Sequence, residues 1–285
     1  MKYMKNTLKL LSVACLALFF LSCRKDHSGI SDGSNLIKYD TAAINFFNSA
    51  QITDTTMKRA LNDLVVQLKE DSLWNKFLAI YPMIGGTASS TKWNLKDPRD
   101  LDAAYRISWN GTPVFETTGV TCSTTNDWGN THLVDSLLSY DNTSVSFYSE
   151  TSNQIAGYDI GCSNSIYPYN IMAIYEDFSK DVVNTLFNAY GSTQYQPAKT
   201  TGLFMNSSKI GKVVRYDNGI SVADYGGPYE AYTNEAITIG KIVDDDHMGQ
   251  RECAFATIGQ GLTAPEVLTF YNIVQSFQTA LGRQK

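Results

Sequence analysis

Gly211-Lys-Val-Val-Arg-Tyr216-Asp217-Asn218-Gly219-Ile220-Ser-Val-Ala223 is the stretch whose reading decides the fold. Two strand-prone runs, Gly211–Tyr216 and Ile220–Ala223, flank Asp217-Asn218-Gly219. Asn-Gly tolerates the positive φ angles that a tight turn demands, so these residues read as an antiparallel hairpin. Outward from it, short runs punctuated by polar turns recur from about Gly85. Upstream candidates are Ala104–Ser108, Val114–Cys122, Ser144–Ser149, Gly157–Cys162, Asn170–Tyr175, Val182–Ala189 and Leu203–Ser207. Downstream the series continues with Ala236–Val243 and Glu252–Ile258. No long helix separates them, which argues for stacked antiparallel sheets, a sandwich or jelly roll, rather than a parallel sheet. The 17 Tyr, 13 Phe and 4 Trp fit, because flat rings pack well on a pleated surface.

The flanks of this region are helical in pattern. From about Ile37 to Tyr81 apolar residues recur at three and four. Thr53 or Asp54 can cap a helix with Met57, Leu61, Leu64, Val65 and Leu68 as its stripe. A second short helix is expected from Ser72, with Leu73, Trp74, Phe77, Leu78 and Tyr81 inward, stopping before Pro82. At the other end Thr263 and Glu266 form a T-x-x-E capping box ahead of Val267, Phe270, Tyr271, Val274, Phe277 and Leu281, and Gly282 suits the position past the helix end. Such stripes must lie against the domain between them. The expected fold is mainly β: an antiparallel β-sandwich (jelly roll) with an N-terminal helical pair and a C-terminal helix packed on it. Residues 37–285 read as a single domain, with a helical lead-in at 37–82, the jelly roll at 83–261 and the helix at 262–283.

Residues 1–22 read as an export signal. Lys2, Lys5 and Lys9 precede the apolar run Leu10–Leu21, which at about a dozen residues is shorter than the roughly 20 a spanning helix needs. Leu21-Ser22-Cys23 resembles the bacterial lipobox, with Phe20 where Leu is commoner. That resemblance implies lipidation of Cys23, a membrane partner through the lipid anchor, and residence in the cell envelope at the periplasmic or outer-membrane face. Residues 23–36 are polar and rich in Gly and Ser, and read as a flexible tether.

Charge excludes one class of partner. Without the three signal lysines, 20 of the 23 basic residues stand against 28 acidic ones, so nucleic acid, which needs clustered Lys and Arg, is not expected. Cys122, Cys162 and Cys253 are widely spaced and lack any C-x-x-C unit. They allow at most one disulfide in an oxidising compartment, or three buried thiols.

Glu252-Cys-Ala-Phe-Ala-Thr-Ile-Gly-Gln-Gly-Leu-Thr-Ala-Pro-Glu266, continuing to Phe270-Tyr271, resembles the closing signature of concanavalin A-like jelly rolls, the laminin-G and pentraxin-like group. In that group a final strand is followed by G-x-x-L-[ST]-x-x-E and a short aromatic helix. Val213–Gly219 resembles its Y-x-N-G hairpin and Ile237-Thr238-Ile239-Gly240 the strand after it. Asn62–Lys69, Trp74, Ile80-Tyr-Pro82, Gly85-Gly86-Thr87, Trp93–Asp100 and Leu281-Gly-Arg-Gln284 are similar to blocks in jelly-roll proteins of Bacteroidota and of phages. The resemblance implies a fold and leaves the ligand open, since one scaffold hosts lectins, glycanases and structural modules.

Catalytic motifs are missing. No E-x-D-x-E run places carboxylates on one strand face, and Glu176-Asp177 would point to opposite faces. Neither a G-x-S-x-G elbow nor an H-E-x-x-H pair occurs, and a Ser-His-Asp arrangement would rest on His132 or His247. Asp244, Asp245 and Asp246 form the densest acidic run. They are the candidate calcium ligands or else a solvated loop, and no other cofactor is expected. Aromatic residues carry the binding expectation: Trp128 within Asn126-Asp-Trp-Gly-Asn130, Tyr167 and Tyr169, and Tyr225, Tyr229 and Tyr232 on a Gly/Pro-rich loop. Such rings can cover sugar C–H faces beside amide and carboxylate partners, or can cover the edges of the sandwich itself. The leading expectation is a non-catalytic, envelope-anchored module for carbohydrate or surface recognition. Alternatives are a structural module that captures an envelope protein partner in a larger assembly, and a glycan hydrolase.

Overall fold

Asn218 and Gly219 take φ angles of 50° and 79°, and the turn they make sets Asp217 opposite Ile220. This hairpin belongs to a computed structural model that describes residues 38–152, 155–164, 170–176, 201–224, 226–227, 232–242 and 245–285. Along the chain the helices are α1 (Thr41–Ala50), α2 (Thr55–Glu70), α3 (Ala88–Thr91) and α4 (Ala264–Ala280). The strands are β1 (Phe77–Tyr81), β2 (Ser108–Asn110), β3 (Val114–Phe115), β4 (Val120–Thr121), β5 (Trp128–Val134), β6 (Asn142–Ser149) and β7 (Gly157–Ser163). They continue with β8 (Ile171–Glu176), β9 (Gly202–Lys209), β10 (Lys212–Asp217), β11 (Ile220–Asp224), β12 (Ala236–Ile239) and β13 (Glu252–Gly259).

Among the described residues these strands form two antiparallel sheets. The larger runs β11-β10-β9-β6-β13-β4-β3, with β1 also paired to β13, and the smaller runs β2-β5-β12-β7-β8. The mainly β, two-sheet expectation holds. Inward residues such as Val145, Phe147, Phe204, Ile160, Ile174 and Ile239 fill the core between the sheets. On the other face of the larger sheet, Tyr148, Leu203, Met205 and Phe255 meet the stripes of α1, α2 and α4, among them Phe46, Leu61, Leu64, Phe270 and Phe277. Asp54 caps α2 by accepting from the Met57 N–H at 2.8 Å, and the Glu266 carboxylate accepts from the Thr263 N–H at 2.8 Å to start α4.

Three readings are corrected. Leu73–Tyr81 is not a second helix: Trp74–Lys76 is a short 3-10 turn and Phe77–Tyr81 is a strand, so the helical lead-in ends before residue 82. Ser72, at φ 60°, breaks the helical path, and the free edge of β13 captures the apolar run. Phe77 and Ile80 then face the helices while Ala79 and Tyr81 face the inter-sheet core. Ala104–Ser108 also differs, with a 3-10 turn at Asp102–Ala104 and a strand beginning only at Ser108. The strand series also omits residues 128–134, where Trp128 opens a seven-residue strand.

Cys122, Cys162 and Cys253 are free and buried. Burial pushes all three thiols up, Cys122 to about 12, which leaves them protonated and inert. Among the described residues no helix is long and apolar enough to cross a membrane. Cys23 and the whole of residues 1–37, and the Val182–Ala189 segment, lie outside the described residues.

Candidate functional site

β5 alternates residue by residue, with Trp128, Asn130, His132 and Val134 half-buried and Gly129, Thr131 and Leu133 buried. Its register sets Ser108 opposite Asn130 and Asn110 opposite Trp128. Directly opposite residues of an antiparallel pair share a face, so Ser108, Asn110, Trp128 and Asn130 form one half-exposed polar surface around an indole. β2 is the outermost strand of its sheet, which puts this surface at an edge of the sandwich.

Local chemistry explains how Trp128 is presented. The buried Asp127 carboxylate accepts from the N–H groups of Thr112 at 2.7 Å, Thr124 at 2.9 Å and Ser123 at 3.3 Å. Burial works to raise its pKa, but these donors outweigh it and hold the carboxyl below its ordinary value. The result is a pinned loop that delivers the chain into β5 at a fixed angle.

Beyond Asn130 the surface becomes a charged network. Ser108 Oγ lies 2.8 Å from His132 Nε2 and accepts from Arg106 Nη1 at 3.1 Å. Arg106 Nη2 pairs with Asp102 at 2.8 Å and Nε lies 3.1 Å from Asp100, which also takes Lys92 at 2.8 Å. Burial is the first cause that lowers the His132 pKa, opposed by Asp102 and aided by Arg106, so the ring is neutral at pH 7. Beside this network lies an open cleft of about 380 Å³ lined by Ser89, Lys92, Arg106, Ser108 and Trp109, with Ala88 and Ile107 completing it.

Serine, histidine and aspartate meet here without forming a proton relay. Asp102 approaches Nε2 at 3.5 Å, the same nitrogen that Ser108 contacts. A relay needs the acid on the opposite nitrogen, where it fixes the tautomer.

The other sequence-derived candidates fall elsewhere. Tyr232 is half-buried against the inter-sheet core, and its carbonyl accepts from Asn170 Nδ2 at 3.0 Å. It lies beyond the Val134 end of β5, where Ala236 pairs with Val134. Six residues of extended chain, about 20 Å, separate that end from Trp128, so the two aromatics do not share a site. Tyr167, Tyr169, Tyr225 and Tyr229 lie outside the described residues. So does Asp244; Asp245 accepts from the His247 N–H at 2.8 Å and pairs with its ring, while Asp246 is exposed. Among the described residues no three His, Cys, Asp or Glu side chains form a group that could hold a metal. Sequence reasoning missed Lys92, Arg106, Ser108 and Asn110. The alternation Ser108-Trp109-Asn110 was the available signal, too short to stand out.

No family model matches the sequence, and no curated protein matches it. Among solved structures, Trypanosoma rangeli sialidase in complex with 2,3-difluoro-KDN aligns at 8% identity and TM-score 0.49, over 75% of this chain and 39% of the sialidase. Domain 4 of AbnA, a GH43 extracellular arabinanase from Geobacillus stearothermophilus in complex with arabinotriose, aligns at 14% identity and TM-score 0.41, over 68% of this chain and 98% of that one. The binding domain of botulinum neurotoxin serotype D aligns at 16% identity and TM-score 0.40, over 70% and 52%. The chain thus spans about two fifths of the sialidase it is similar to, and at these scores the likeness says nothing of what this chain binds.

Proposed function

We propose that this chain is a non-catalytic carbohydrate-recognition module of the concanavalin A-like kind, held in the cell envelope by a lipid on Cys23, and that the β2–β5 edge is its binding surface. One observation carries the reading: half-buried Trp128 stands directly opposite Asn110 and two residues from Asn130 on a single face. An indole supplies apolar area for sugar C–H groups, and flanking amides supply both donors and acceptors for hydroxyls. Arg106, Ser108 and Lys92 extend the polar surface along the adjoining cleft. The non-catalytic part is supported by the shared-nitrogen geometry at His132.

A glycan array probed with the full chain, followed by titration of the best ligand, tests the proposal. Trp128→Ala is expected to weaken binding at least tenfold while the thermal midpoint shows that the fold persists. Binding that Trp128→Ala leaves untouched, or no glycan binding at all, overturns it.

A further inference from the structure

Two consecutive hairpins in the larger sheet close with turns of the same geometry and different chemistry. Between β10 and β11 the turn residues are Asn218 and Gly219, at φ 50° and 79°; between β9 and β10 they are Ile210 and Gly211, at φ 54° and 71°, with Lys209 opposite Lys212. Two-residue turns of this hand need positive φ at both positions, and Asn-Gly meets the need with little strain. Isoleucine does not, because its branched Cβ crowds the backbone in the left-handed region. Ile210 is also 85% exposed, more than any other large hydrophobic residue among those described. A strained backbone and an apolar side chain left in water are two penalties that no contact among the described residues offsets.

We propose that Ile210 is a membrane-surface contact, a single aliphatic tip that enters the interfacial zone of an anionic bilayer while Lys209 and Lys212 meet the headgroup phosphates. The Gly226 carbonyl accepts from the Val213 N–H at 3.0 Å and Gly227 lies beside Gly211, but the Ile210 side chain stays exposed. An aliphatic residue between two long amines matches the layering of a bilayer surface. The Lys209 amine donates to the Gly261 carbonyl at 3.0 Å, a neutral acceptor that leaves its charge available. Lys212 pairs with Asp224 at 3.1 Å in an exposed ion pair of the sort that headgroups readily replace. Leu137, 59% exposed, lies at the same end of the sandwich, on the connection leading to Asn142, the cross-strand partner of Lys209. Trp128 opens β5 at the other end from Val134, so a sandwich standing on this turn presents the β2–β5 surface away from the lipid. None of these residues belongs to that surface, so the inference stands or falls apart from the glycan reading.

A photoreactive diazirine-bearing aliphatic residue placed at position 210, or at position 220 as a comparison, tests the contact in the full chain. Ile220 is also exposed, at 67%, but lies at the opposite end of β10. With the protein on vesicles of phosphatidylglycerol and phosphatidylethanolamine, lipid adducts from 210 are expected at five times the yield from 220 or more. Equal yields, or adducts only to a second copy of the chain, overturn the proposal. In a second arm Ile210→Asn restores an Asn-Gly turn. It is expected to raise the thermal midpoint and to weaken vesicle binding at least threefold relative to Ile220→Asn. Vesicle affinity equal in the two variants overturns it as well.

Discussion

The indole of Trp109 lies across Gly129, its cross-strand partner, so closely that a Cβ on Gly129 would fall 2.6 Å from Cζ3 of the ring. This glycine is there for space. Its missing side chain lets Trp109 fold inward against the inter-sheet core and meet Phe115 edge-on at 5.5 Å, leaving Ser108 and Asn110 on the outer face. Gly129→Ala forces the indole out or the strands apart, a change of the overpacking type that costs about 1–3 kcal/mol. Urea denaturation measures the loss. Because the displaced ring lines the cleft, glycan affinity is expected to fall with it.

Arg283 ties the end of the chain's last helix to the sheet. Its buried guanidinium donates to Gln278 Oε1 at 2.8 Å and to the carbonyls of Met83 at 2.9 Å, Thr118 at 3.1 Å, and Pro82 and Ala254 at 3.2 Å. Burial lowers its pKa to about 10, which still leaves it charged at pH 7. Arg283→Met strands those carbonyls without a donor, and a loss of about 3–5 kcal/mol is expected. Arg283→Lys recovers little, since an ammonium cannot fan out to so many acceptors. Chemical denaturation of both variants checks this; a Lys variant as stable as the parent would show that charge, not geometry, is what matters.

Acid acts on the start of α4. Partial burial works to raise the Glu266 pKa, but the Lys76 ammonium and the Thr263 N–H and hydroxyl bring it down to about 2, from 4.5 in an unfolded chain. A depressed carboxyl contributes stability that is present above the unfolded value and lost as pH falls through the folded one. The stability gap between the parent and Glu266→Gln is therefore expected to be constant above about pH 5.5 and to close between 4.5 and 2. A gap unchanged across that window would remove the ion pair from the account.

How far these features could be read from sequence depended on whether their causes were local. The Asn218-Gly219 hairpin, the Asp54 cap and the Thr263–Glu266 start of α4 are fixed within a few residues, and all were legible. Phe77–Tyr81 fits a helix as well as a strand by spacing, and only the edge of β13, nearly 180 positions away, decides it. β5 was hidden for a related reason: Gly129, Asn126 and Asn130 argue against a strand until Trp109 is known to fill the space above the glycine. Asn94 shows the same dependence. Within the Trp93–Asp100 block nothing local marks it, yet its buried amide holds β1 through the Ile80 N–H at 3.0 Å and the Leu78 carbonyl at 3.1 Å. For the site, Trp128 was legible as an aromatic among amides, whereas Arg106 and Ser108 gained meaning only from a neighbouring strand.

Asp159 and Arg251 form an ion pair shut away from solvent, with Nε 2.9 Å from one carboxylate oxygen and 3.0 Å from the other. Burial pushes the carboxyl up, and Arg251 and then Arg215 oppose it. Arg251 also donates to the carbonyls of Gly157 at 3.1 Å and Ile155 at 3.0 Å, so it orders the entry to β7 as well. Arg251→Met removes the partner and leaves a buried carboxylate, which costs about 3–5 kcal/mol at neutral pH. In that variant the Asp159 pKa rises further above its unfolded value, so stability is greatest below the unfolded pKa and falls as pH climbs through the folded one. The destabilisation measured by urea should accordingly be smaller at pH 4 than at pH 8. Adding Asp159→Leu removes the stranded charge, and the double variant is expected to regain most of the loss at pH 8. A double variant no more stable than Arg251→Met would show that the hydrogen bonds to Gly157 and Ile155, and not the charge, hold this corner of the sandwich.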